Sequence, residues 1–440
     1  MAERVWPVVV VGGGAAGLTA AIFAAETGRR VLLLERTATL GQKILIAGGG
    51  RCNVLPAQVH SGVFVTDSPR PALDSVLRAW PLTEQIRFFE RELGVPLKYE
   101  SFATRVTPRH DGVVMDSRFA APGKLFPVSD RAADVRDALA RAAQRRGVTV
   151  QTGASLARLD RDADGWRLEM GDWQSGRRKT APPVARTQRQ PLRAERVILA
   201  TGGLSVPTTG SDGTGLRLAE ALGHCVTPTY PALTPLLGGS AAHHALAGVS
   251  LPVALHAAGD SEWQVEGGFL FTHRGYSGPA LLDISHVAAR GGERRSAIVA
   301  RWGEWTAEQW TQALVGARGG VLAVVREALP ERLARQLVAE AGLTETQRAA
   351  ELRRADRQRL VEALTRYPLP WTGDEGYAKA EVTGGGVGLD EVDVTTLESR
   401  RCTGLFLCGE MLDVFGPIGG YNFLWAWASG YVAGRGAGGQ

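Results

Sequence analysis

Apolar residues come in two long blocks at the start of the chain, separated by glycines. Residues 8–11 are four consecutive valines, which is typical of a parallel strand buried on both faces. The apolar stretch from about 15 to 26 predicts a helix, and Gly28 stands where a helix-ending glycine is expected. The run RVLLLE at 30–35 predicts a second strand. The chain therefore opens with a strand–helix–strand unit of an α/β fold.

The pattern changes twice further along the chain. Residues 130–145 predict another helix, and 148–152 another strand. From about 228 to 300 the chain reads as short strands with many turns, which indicates a separate β-rich domain. Residues 306–366 then show the periodicity of three or four amphipathic helices. An apolar strand near 404 and a glycine-led helical run close the sequence.

The glycines between the first strand and helix have the spacing of a dinucleotide-binding turn. Gly12 would permit the tight turn, Gly14 the approach of a pyrophosphate, and Gly17 the close packing of helix on strand. Glu35 ends the second strand, where a carboxylate can accept hydrogen bonds from ribose hydroxyls. A purely structural strand–helix–strand unit is the alternative. Because an acid stands at 35 without an arginine pattern for a 2′-phosphate, FAD or NAD is favoured over NADP.

Two later segments favour FAD. The strand ERVILATGG (195–203) runs into Thr201 and Gly202, a second close approach of backbone to ligand. The segment 404–434 places Asp413 after a strand and starts a helix near Asn422, behind Gly420. Asp413 would bind the ribityl or pyrophosphate region, and the helix N-terminus would face the flavin N1/O2 edge. A buried aromatic helix is the plainer interpretation of 421–431, and the two are compatible.

Composition narrows the class of protein. With 440 residues, two or three domains are expected. Four cysteines without a Cys-x-x-Cys pair make neither a disulfide framework nor a zinc ribbon, and the adjacent pair His243–His244 lacks a helical carboxylate partner, so no metal site is expected. No signal peptide or membrane-length apolar run is visible, so a cytoplasmic location without a membrane is expected. The oligomeric state is left open.

The charge leaves two interpretations. The formal net charge is +5 and the pI about 9.2. This is either ordinary arginine-rich composition or a surface for a polyanion such as RNA. The same choice applies to the basic insert 177–196, which is either a solvated loop or an arm that touches phosphates.

Six segments together resemble one family, the BaiN/YhiN (RdsA)-type bacterial flavoproteins, often described as NAD(P)/FAD-dependent or aminoacetone-oxidase-family enzymes. The segments are GQKILIAGGGRCNVLP (41–56), GKLFPVSDRAADV (123–135), FTHRGYSGPALLDIS (271–285), AEVTGGGV (380–387), TTLESR (395–400) and CGEMLDVFGPIGGYN (408–422). The resemblance implies a Rossmann-type two-dinucleotide-binding flavoprotein domain in two parts, 1–227 and 386–440. It also implies an inserted β-barrel-like domain (228–305, with a return strand at 368–385) and a small helical subdomain (306–367).

Carried over to the matching positions, the resemblance and the glycine motifs give a set of expected FAD contacts. They are Gly12, Gly14, Ala16, Gly17, Glu35, Gln42, Lys43, Gly49, Gly50, Arg51, Cys52, Asn53, Leu156, Thr201, Gly202, Asp413, Gly420, Asn422 and Phe423. The family's activities imply NAD(P)H as reductant and reduction of a C=C bond conjugated to a carbonyl. The most concrete substrate is a uridine of 23S ribosomal RNA. The alternatives are a small-molecule enone reductase or amine oxidase, and a non-catalytic flavin-binding or tRNA-modification partner.

Four side chains are candidates for the chemistry. Cys52 would protonate the carbon α to the carbonyl, or simply pack under the flavin; Arg51 and the loop amides are expected to lower its pKa. His273 is a general acid or a hydrogen-bonded loop histidine. Arg51 would clamp a carbonyl or phosphate. Tyr421 is a weaker candidate. Besides these four, Tyr276 and Ser277 share the loop of His273 and would orient a carbonyl.

Overall fold

The computed structural model describes residues 5–101, 104–110, 113–114, 123–171, 192–258, 263–290 and 296–439. The basic insert predicted at 177–196 lies outside these residues, apart from its last five positions. The chain divides into two compact units. Unit 1 comprises Met1–Phe102, Gly123–Thr229 and Val382–Gln440, and unit 2 comprises Ala103–Pro122 and Tyr230–Glu381.

The strands, in chain order, are β1 (Val5–Val11), β2 (Val31–Leu34), β3 (Leu55–Pro56), β4 (Leu97–Ser101), β5 (Arg105–His110), β6 (Val113–Val114), β7 (Gly123–Pro127), β8 (Thr149–Gln151), β9 (Ser155–Asp162), β10 (Gly165–Gly171), β11 (Leu192–Leu199), β12 (Val226–Ala232), β13 (Leu236–Gly238), β14 (Ser250–Ala258), β15 (Trp263–Thr272), β16 (Gly275–Ser277), β17 (Ala297–Trp302), β18 (Tyr367–Pro368), β19 (Trp371–Asp374), β20 (Val382–Val387) and β21 (Leu405–Leu407).

The α-helices are α1 (Ala15–Ala25), α2 (Gln42–Ile46), α3 (Arg70–Ala79), α4 (Leu82–Arg87), α5 (Ala132–Arg145), α6 (Thr214–Ala221), α7 (Ala241–His244), α8 (Pro279–Ile284), α9 (His286–Ala289), α10 (Ala307–Gly316), α11 (Val321–Val325), α12 (Glu331–Glu340), α13 (Arg354–Thr365) and α14 (Tyr421–Gly438). None of the described helices is both long and apolar enough to cross a membrane.

The main sheet of unit 1 confirms the Rossmann-type prediction. Its order is β8-β2-β1-β11-β10-β9, with β21 beside β11. Strand β1 runs parallel to β2 and β11, and β21 runs parallel to β11. Since parallel strands share one edge for their carboxyl ends, the loops after β1, β2, β11 and β21 leave the sheet on the same side. In such sheets, ligands bind at that edge.

Helices α1 and α14 pack closely because glycine faces backbone at their contact. A Cβ on Gly430 would lie 2.5 Å from the Ala16 carbonyl oxygen, and one on Gly434 would lie 2.5 Å from that of Ala20. Trp425 and Trp427 of α14 are buried. Their indole nitrogens donate to the carbonyl oxygens of Gly409 (3.1 Å) and Val54 (3.0 Å) respectively. The terminal helix is therefore a buried aromatic helix.

Unit 2 is built on a nine-stranded sheet. Its path is β18-β17-β14-β15-β16-β13-β19, and β5 joins it beside β15. Strand β15 alternates buried and half-buried residues, as the two faces of a sheet require. Helices α10 to α13 belong to the same unit. Strand β5 also falls in unit 2, where it pairs with β15.

Candidate functional site

The turn between β1 and α1 is shaped by contacts within the protein and by an opening beside its middle glycine. Gly12 has a φ of +108°, and a Cβ there would lie 2.3 Å from the Ala200 carbonyl oxygen. A Cβ on Gly17 would lie 1.8 Å from the Gly12 carbonyl oxygen. A Cβ on Gly14, by contrast, would meet nothing within 4 Å. The N-cap of α1 is this glycine, which has no side chain to cap the helix, and helix N-termini of this kind bind anions through their backbone amides.

Glu35 is fixed at the end of β2, as a ribose-binding carboxylate should be. One carboxylate oxygen accepts from the Gly13 amide at 2.7 Å. The other accepts from the Thr37 amide at 2.7 Å and from the Thr37 hydroxyl at 2.8 Å. The next residue, Arg36, is ion-paired with Asp212 at 2.6 Å, so a carboxylate compensates the cation beside Glu35. This arrangement fits FAD better than a ligand carrying a 2′-phosphate. Leu156, the expected adenine contact, is buried in β9.

A second glycine-rich turn, Ala47–Asn53, follows α2. The residues Gly48, Gly49, Gly50 and Cys52 have φ values of +57°, +68°, +86° and +61°, all in the left-handed region. A Cβ on Gly49 would meet nothing within 4 Å. This turn, here called loop two, thus presents backbone to open space, as a cradle for a flat ligand would. The β1–α1 turn, Gly12–Gly17, is called loop one.

The side chain of Arg51 in loop two is held by carboxylates. Its Nε donates to Asp130 Oδ1 at 2.8 Å, and its Nη2 contacts both Glu100 and Asp130. Its guanidinium also lies 4.2 Å from the centre of the Phe126 ring. Hydrogen bonds from Arg51 and Lys98 hold the pKa values of Glu100 and Asp130 below their usual range. In this structure Arg51 anchors loop two, and clamping of a substrate by Arg51 stays a prediction.

The pKa of the Cys52 thiol differs from the predicted one. The residue is completely buried, and burial raises the pKa of its thiol to about 12. The expectation of a lowered pKa is wrong because desolvation dominates and the neighbouring guanidinium is engaged by Glu100 and Asp130. The thiol therefore keeps its proton at neutral pH. A proton donor must be protonated, so this thiol could serve as one. A cysteine that only packs in the core is protonated as well.

Lys43 enters a cluster that the sequence did not reveal. Its ammonium lies 2.5 Å from Glu410 Oε2 and 2.6 Å from the Ser205 hydroxyl. Glu410 also accepts from the Ser205 hydroxyl at 2.5 Å and from the Thr383 amide and hydroxyl at 3.0 and 2.9 Å. The cluster joins α2 to the loops after β11 and β21, beside Gly203. Glu410 lies in the motif CGEM and Thr383 in the motif AEVTGGGV. Their place in these motifs is the sequence signal that could have pointed to the cluster.

The remaining predicted contacts lie around the start of α14 and the end of β11. Asp413 is buried and accepts from the Asp67 amide at 3.0 Å. Asn422 holds the preceding loop, accepting from the Gly416 amide and donating to its carbonyl, each at 2.9 Å. Phe423 stacks on Trp427, and Tyr421 packs edge-on against Phe64.

Two further residues of the predicted set, Gly420 and Gly202, are glycines with a left-handed backbone. Gly420, the N-cap of α14, has a φ of +98°, and a Cβ there would lie 2.4 Å from the Leu55 carbonyl carbon. Gly202 has a φ of +74°, and the hydroxyl of Thr201 lies 3.3 Å from the Met411 sulfur. Gln42 bonds to the hydroxyl of Thr39.

Two candidates lie in unit 2. His273 is exposed in the turn between β15 and β16. Tyr276 is buried, and its hydroxyl lies 2.7 Å from His243 Nδ1, while the Tyr367 hydroxyl lies 3.0 Å from His243 Nε2. Burial raises the pKa of Tyr276 well above its ordinary value. The structure thus gives the Tyr276 hydroxyl a protein partner where a substrate carbonyl was expected.

The motif TTLESR resembles part of a hydrolytic triad only superficially. The Ser399 hydroxyl lies 2.9 Å from His224 Nε2, and His224 Nδ1 lies 3.0 Å from Glu391. Ser399 and His224 are both buried. The Ser399 oxygen also accepts from the backbone amides of Arg401 (3.1 Å) and Cys402 (2.8 Å). This oxygen is therefore a turn-holding acceptor.

Taken together, unit 1 has the fold and the cradle of a Rossmann-type FAD-binding protein. A family model described as "HI0933-like protein Rossmann domain" matches residues 6–436, and the chain belongs to that family. It is 29% identical over 429 residues to a ribosomal RNA dihydrouridine synthase of Escherichia coli, covering 96% of each chain. It is 32% identical over 440 residues to a 3-dehydro-bile acid delta(4,6)-reductase of Clostridium scindens, covering 97% of this chain and 98% of the relative.

A solved structure shares the fold. The 3-ketosteroid delta1-dehydrogenase of Sterolibacterium denitrificans matches 99% of this chain and 100% of its own, with a TM-score of 0.50 and 12% identity. The protein is an FAD-dependent oxidoreductase. Loop one and Glu35 fit the adenosine and pyrophosphate parts of FAD, and loop two fits a flat ring.

Proposed function

We propose that this protein reduces a carbon–carbon double bond conjugated to a carbonyl, and that its substrate is a uridine of 23S ribosomal RNA. The reaction class rests on the names of two relatives, each of which matches this chain over nearly its whole length. One relative is named as a dihydrouridine synthase, and the other is named as a 3-dehydro-bile acid delta(4,6)-reductase. Both names describe saturation of a C=C bond beside a carbonyl.

The residues of unit 1 support this chemistry by binding and orientation. FAD, once reduced by NAD(P)H, supplies the hydride. Gly14, Glu35 and the backbone of loop two would hold FAD, and the cluster of Lys43 and Glu410 fixes the edge of the sheet where the ligand is expected. Cys52 keeps its proton at neutral pH, so it is a candidate for the proton that completes the reduction; His273 is the other.

The RNA substrate is supported by the relative from Escherichia coli and by the charge of the chain. A net charge of +5 suits a polyanion such as RNA. A uridine in folded RNA must leave its stack before it can meet the flavin. The proposal also places the protein in the cytoplasm, where ribosomal RNA is found.

A small-molecule enone is the second candidate because the relative from Clostridium scindens acts on one and is 32% identical. Salt separates the two candidates. Binding of RNA weakens steeply as salt rises, whereas binding of a small enone with at most one charge responds much less.

Mass spectrometry of ribosomal RNA from a strain lacking the gene tests the substrate. We expect one dihydrouridine of 23S RNA to revert to uridine, and to return when the native gene is restored. Restoring the Gly14→Ala gene, which fills the opening beside loop one, should not return it. Unchanged dihydrouridine in the deletion strain would overturn the RNA substrate.

A further inference from the structure

We propose that three arginines at the start of helix α13, Arg353, Arg354 and Arg357, dock the phosphate backbone of the RNA substrate. This inference rests on the RNA substrate proposed above and assigns the docking to unit 2, in which α13 lies. Successive residues of an α-helix are about 100° apart around its axis, so the three arginines fall within one arc of about 100°. They are called the arginine face below.

The side chains of the arginine face have no carboxylate partner in the described part of the chain. Arg353 and Arg354 are exposed, and Arg357 is half-exposed. Arg359 of the same helix, by contrast, is ion-paired with Asp356 at 2.8 Å. The three guanidinium groups of the arginine face are therefore available to an anion that comes from outside the protein.

Nearby carboxylates do not cancel this positive charge. The helical part of unit 2, residues 306–366, contains ten arginines and eight acids. Three of the acids around the arginine face are engaged by other arginines, in the pairs Glu345–Arg335, Glu351–Arg348 and Asp356–Arg359. The remaining acid of α13, Glu362, lies more than one turn beyond Arg357. No ion pair between described residues therefore neutralises the arginine face.

The position of these arginines works against the stability of α13. They lie at the first turn of the helix, where the positive end of the helix dipole favours acids and disfavours cations. Arg353 is the N-cap, yet its side chain makes no capping hydrogen bond. The arginine face thus contributes neither an ion pair nor a cap to folding. Contact with an anion gives these residues a role that folding does not.

A further arginine extends the charged surface to the neighbouring segment. Arg318 is exposed, and the carbonyl of the next residue, Gly319, accepts from the amide of Ala349 at 3.1 Å. Residues 349–351 form a short 3-10 helix that leads into α13. Cations that follow one another along a surface match the repeated phosphates of RNA, whereas a small substrate offers too few charges to meet them. The charge pattern therefore favours RNA as the occupant.

The test measures binding of an unmodified 23S RNA transcript to the FAD-loaded protein at several salt concentrations. In the triple variant Arg353→Gln, Arg354→Gln, Arg357→Gln, the plot of log K against log salt should become less steep by about two to three, because each phosphate contact contributes about 0.7 to 0.9. At physiological salt the Kd should rise by about tenfold or more. The thermal midpoint should stay the same or rise, since cations leave the positive end of a helix.

The matched control removes the same charge elsewhere, in the triple variant Arg78→Gln, Arg91→Gln, Arg141→Gln. These three arginines of unit 1 are exposed, and no ion pair joins them to another described residue. The control should change the salt slope by less than about one. The FAD affinity of each variant checks that it folds, and a lowered midpoint with lost FAD affinity in the first variant would make its arginines structural and overturn the inference.

The outcomes separate this inference from the function on which it rests. If the native protein converts ribosomal RNA and the first variant binds it with unchanged affinity and salt dependence, the arginine face is wrong and the RNA substrate stands. If the native protein neither binds nor converts RNA, both proposals are wrong. Equal weakening in the control would show that only net charge matters. Loss of binding to vesicles of anionic lipid, with RNA binding intact, would assign the face to a membrane. Either of these results would overturn the inference.

Discussion

Loops one and two are both rich in glycine, yet their glycines serve different purposes. In loop one, Gly12 and Gly17 are required by the protein itself, because a side chain at either would collide with backbone already present. In loop two, Gly49 borders open space, and its left-handed φ of +68° is what selects glycine. Gly12 and Gly17 of loop one are therefore required for packing within the protein, whereas Gly49 of loop two borders the space expected to hold the ligand.

This difference separates stability from binding, and substitutions can test each part. A glycine needed for packing should matter to the protein without FAD. A glycine beside an opening should matter mainly when FAD is added.

The largest effect is expected from Gly17→Ala. The new Cβ would lie 1.8 Å from the Gly12 carbonyl oxygen, so strand and helix must move apart. We expect a loss of about 3 kcal/mol or more in the free energy of unfolding, measured by urea denaturation of the protein without FAD. Gly14→Ala is the matched control and should cost about 1 kcal/mol or less, because nothing lies within 4 Å. Equal losses in the two variants would contradict the packing role.

Gly49→Ala should act mainly on FAD. The left-handed backbone costs alanine about 1 kcal/mol, and the methyl group projects into the space expected to hold the ligand. We expect the Kd for FAD to rise by more than about tenfold, measured by fluorescence titration of the protein stripped of flavin. Gly28→Ala is the control, since it has a φ of +77° and equally open surroundings at the end of α1. Both variants should lose similar stability, and if both also lost FAD affinity, loop two would have no special place in binding.

Arg51→Gln should have a smaller effect, because its ion pairs with Glu100 and Asp130 are half exposed. We expect a small drop in the thermal midpoint that shrinks as salt is added, with the FAD affinity reduced less than in Gly49→Ala. Arg51→Lys, which keeps the charge but loses the forked contact, should fall between the two. A complete loss of substrate conversion with an unchanged midpoint would instead show that Arg51 acts on the substrate.

The smallest effect concerns the reactivity of Cys52. Since burial raises the pKa of its thiol to about 12, iodoacetamide at pH 8 should leave it unlabelled while it labels the exposed Cys225. A thiol whose pKa is raised on folding stabilises the protein below pH 9, its unfolded value, and this contribution is lost as the pH rises towards 12. In the Cys52→Ala variant, this loss of stability at alkaline pH should be smaller. The measurement is the free energy of unfolding from denaturation at several pH values. Rapid labelling of Cys52 in the folded protein would show instead that it is an open, reactive thiol.

The sequence predicted well those features that depend on neighbours along the chain. Helix α1 and strand β2 lie within one residue of their predicted bounds, whereas β1 begins three residues before the predicted valine run. The buried helix α14 was anticipated from its aromatic run. Periodicity and glycine spacing are local signals, so they survive without tertiary information.

Features that depend on distant partners were missed. The carboxylates Glu100 and Asp130 that hold Arg51 stand 49 and 79 residues away in sequence, and Glu410 stands 367 residues from Lys43. The expectation for the Cys52 pKa failed for the same reason, since burial is a property of the whole fold. The pairing of β5 with β15 likewise joins strands that lie far apart in the sequence, and no local pattern encodes it.

The central claim is tested most directly by mass spectrometry of RNA treated with the purified protein. Ribosomal RNA from the deletion strain would be incubated with the FAD-loaded protein and NAD(P)H, then digested and compared with untreated RNA. The account predicts that one uridine-containing fragment of 23S RNA gains the mass of two hydrogen atoms, and that omitting NAD(P)H abolishes the gain. RNA of unchanged mass, from a preparation that oxidises NAD(P)H in the presence of a small enone, would contradict it.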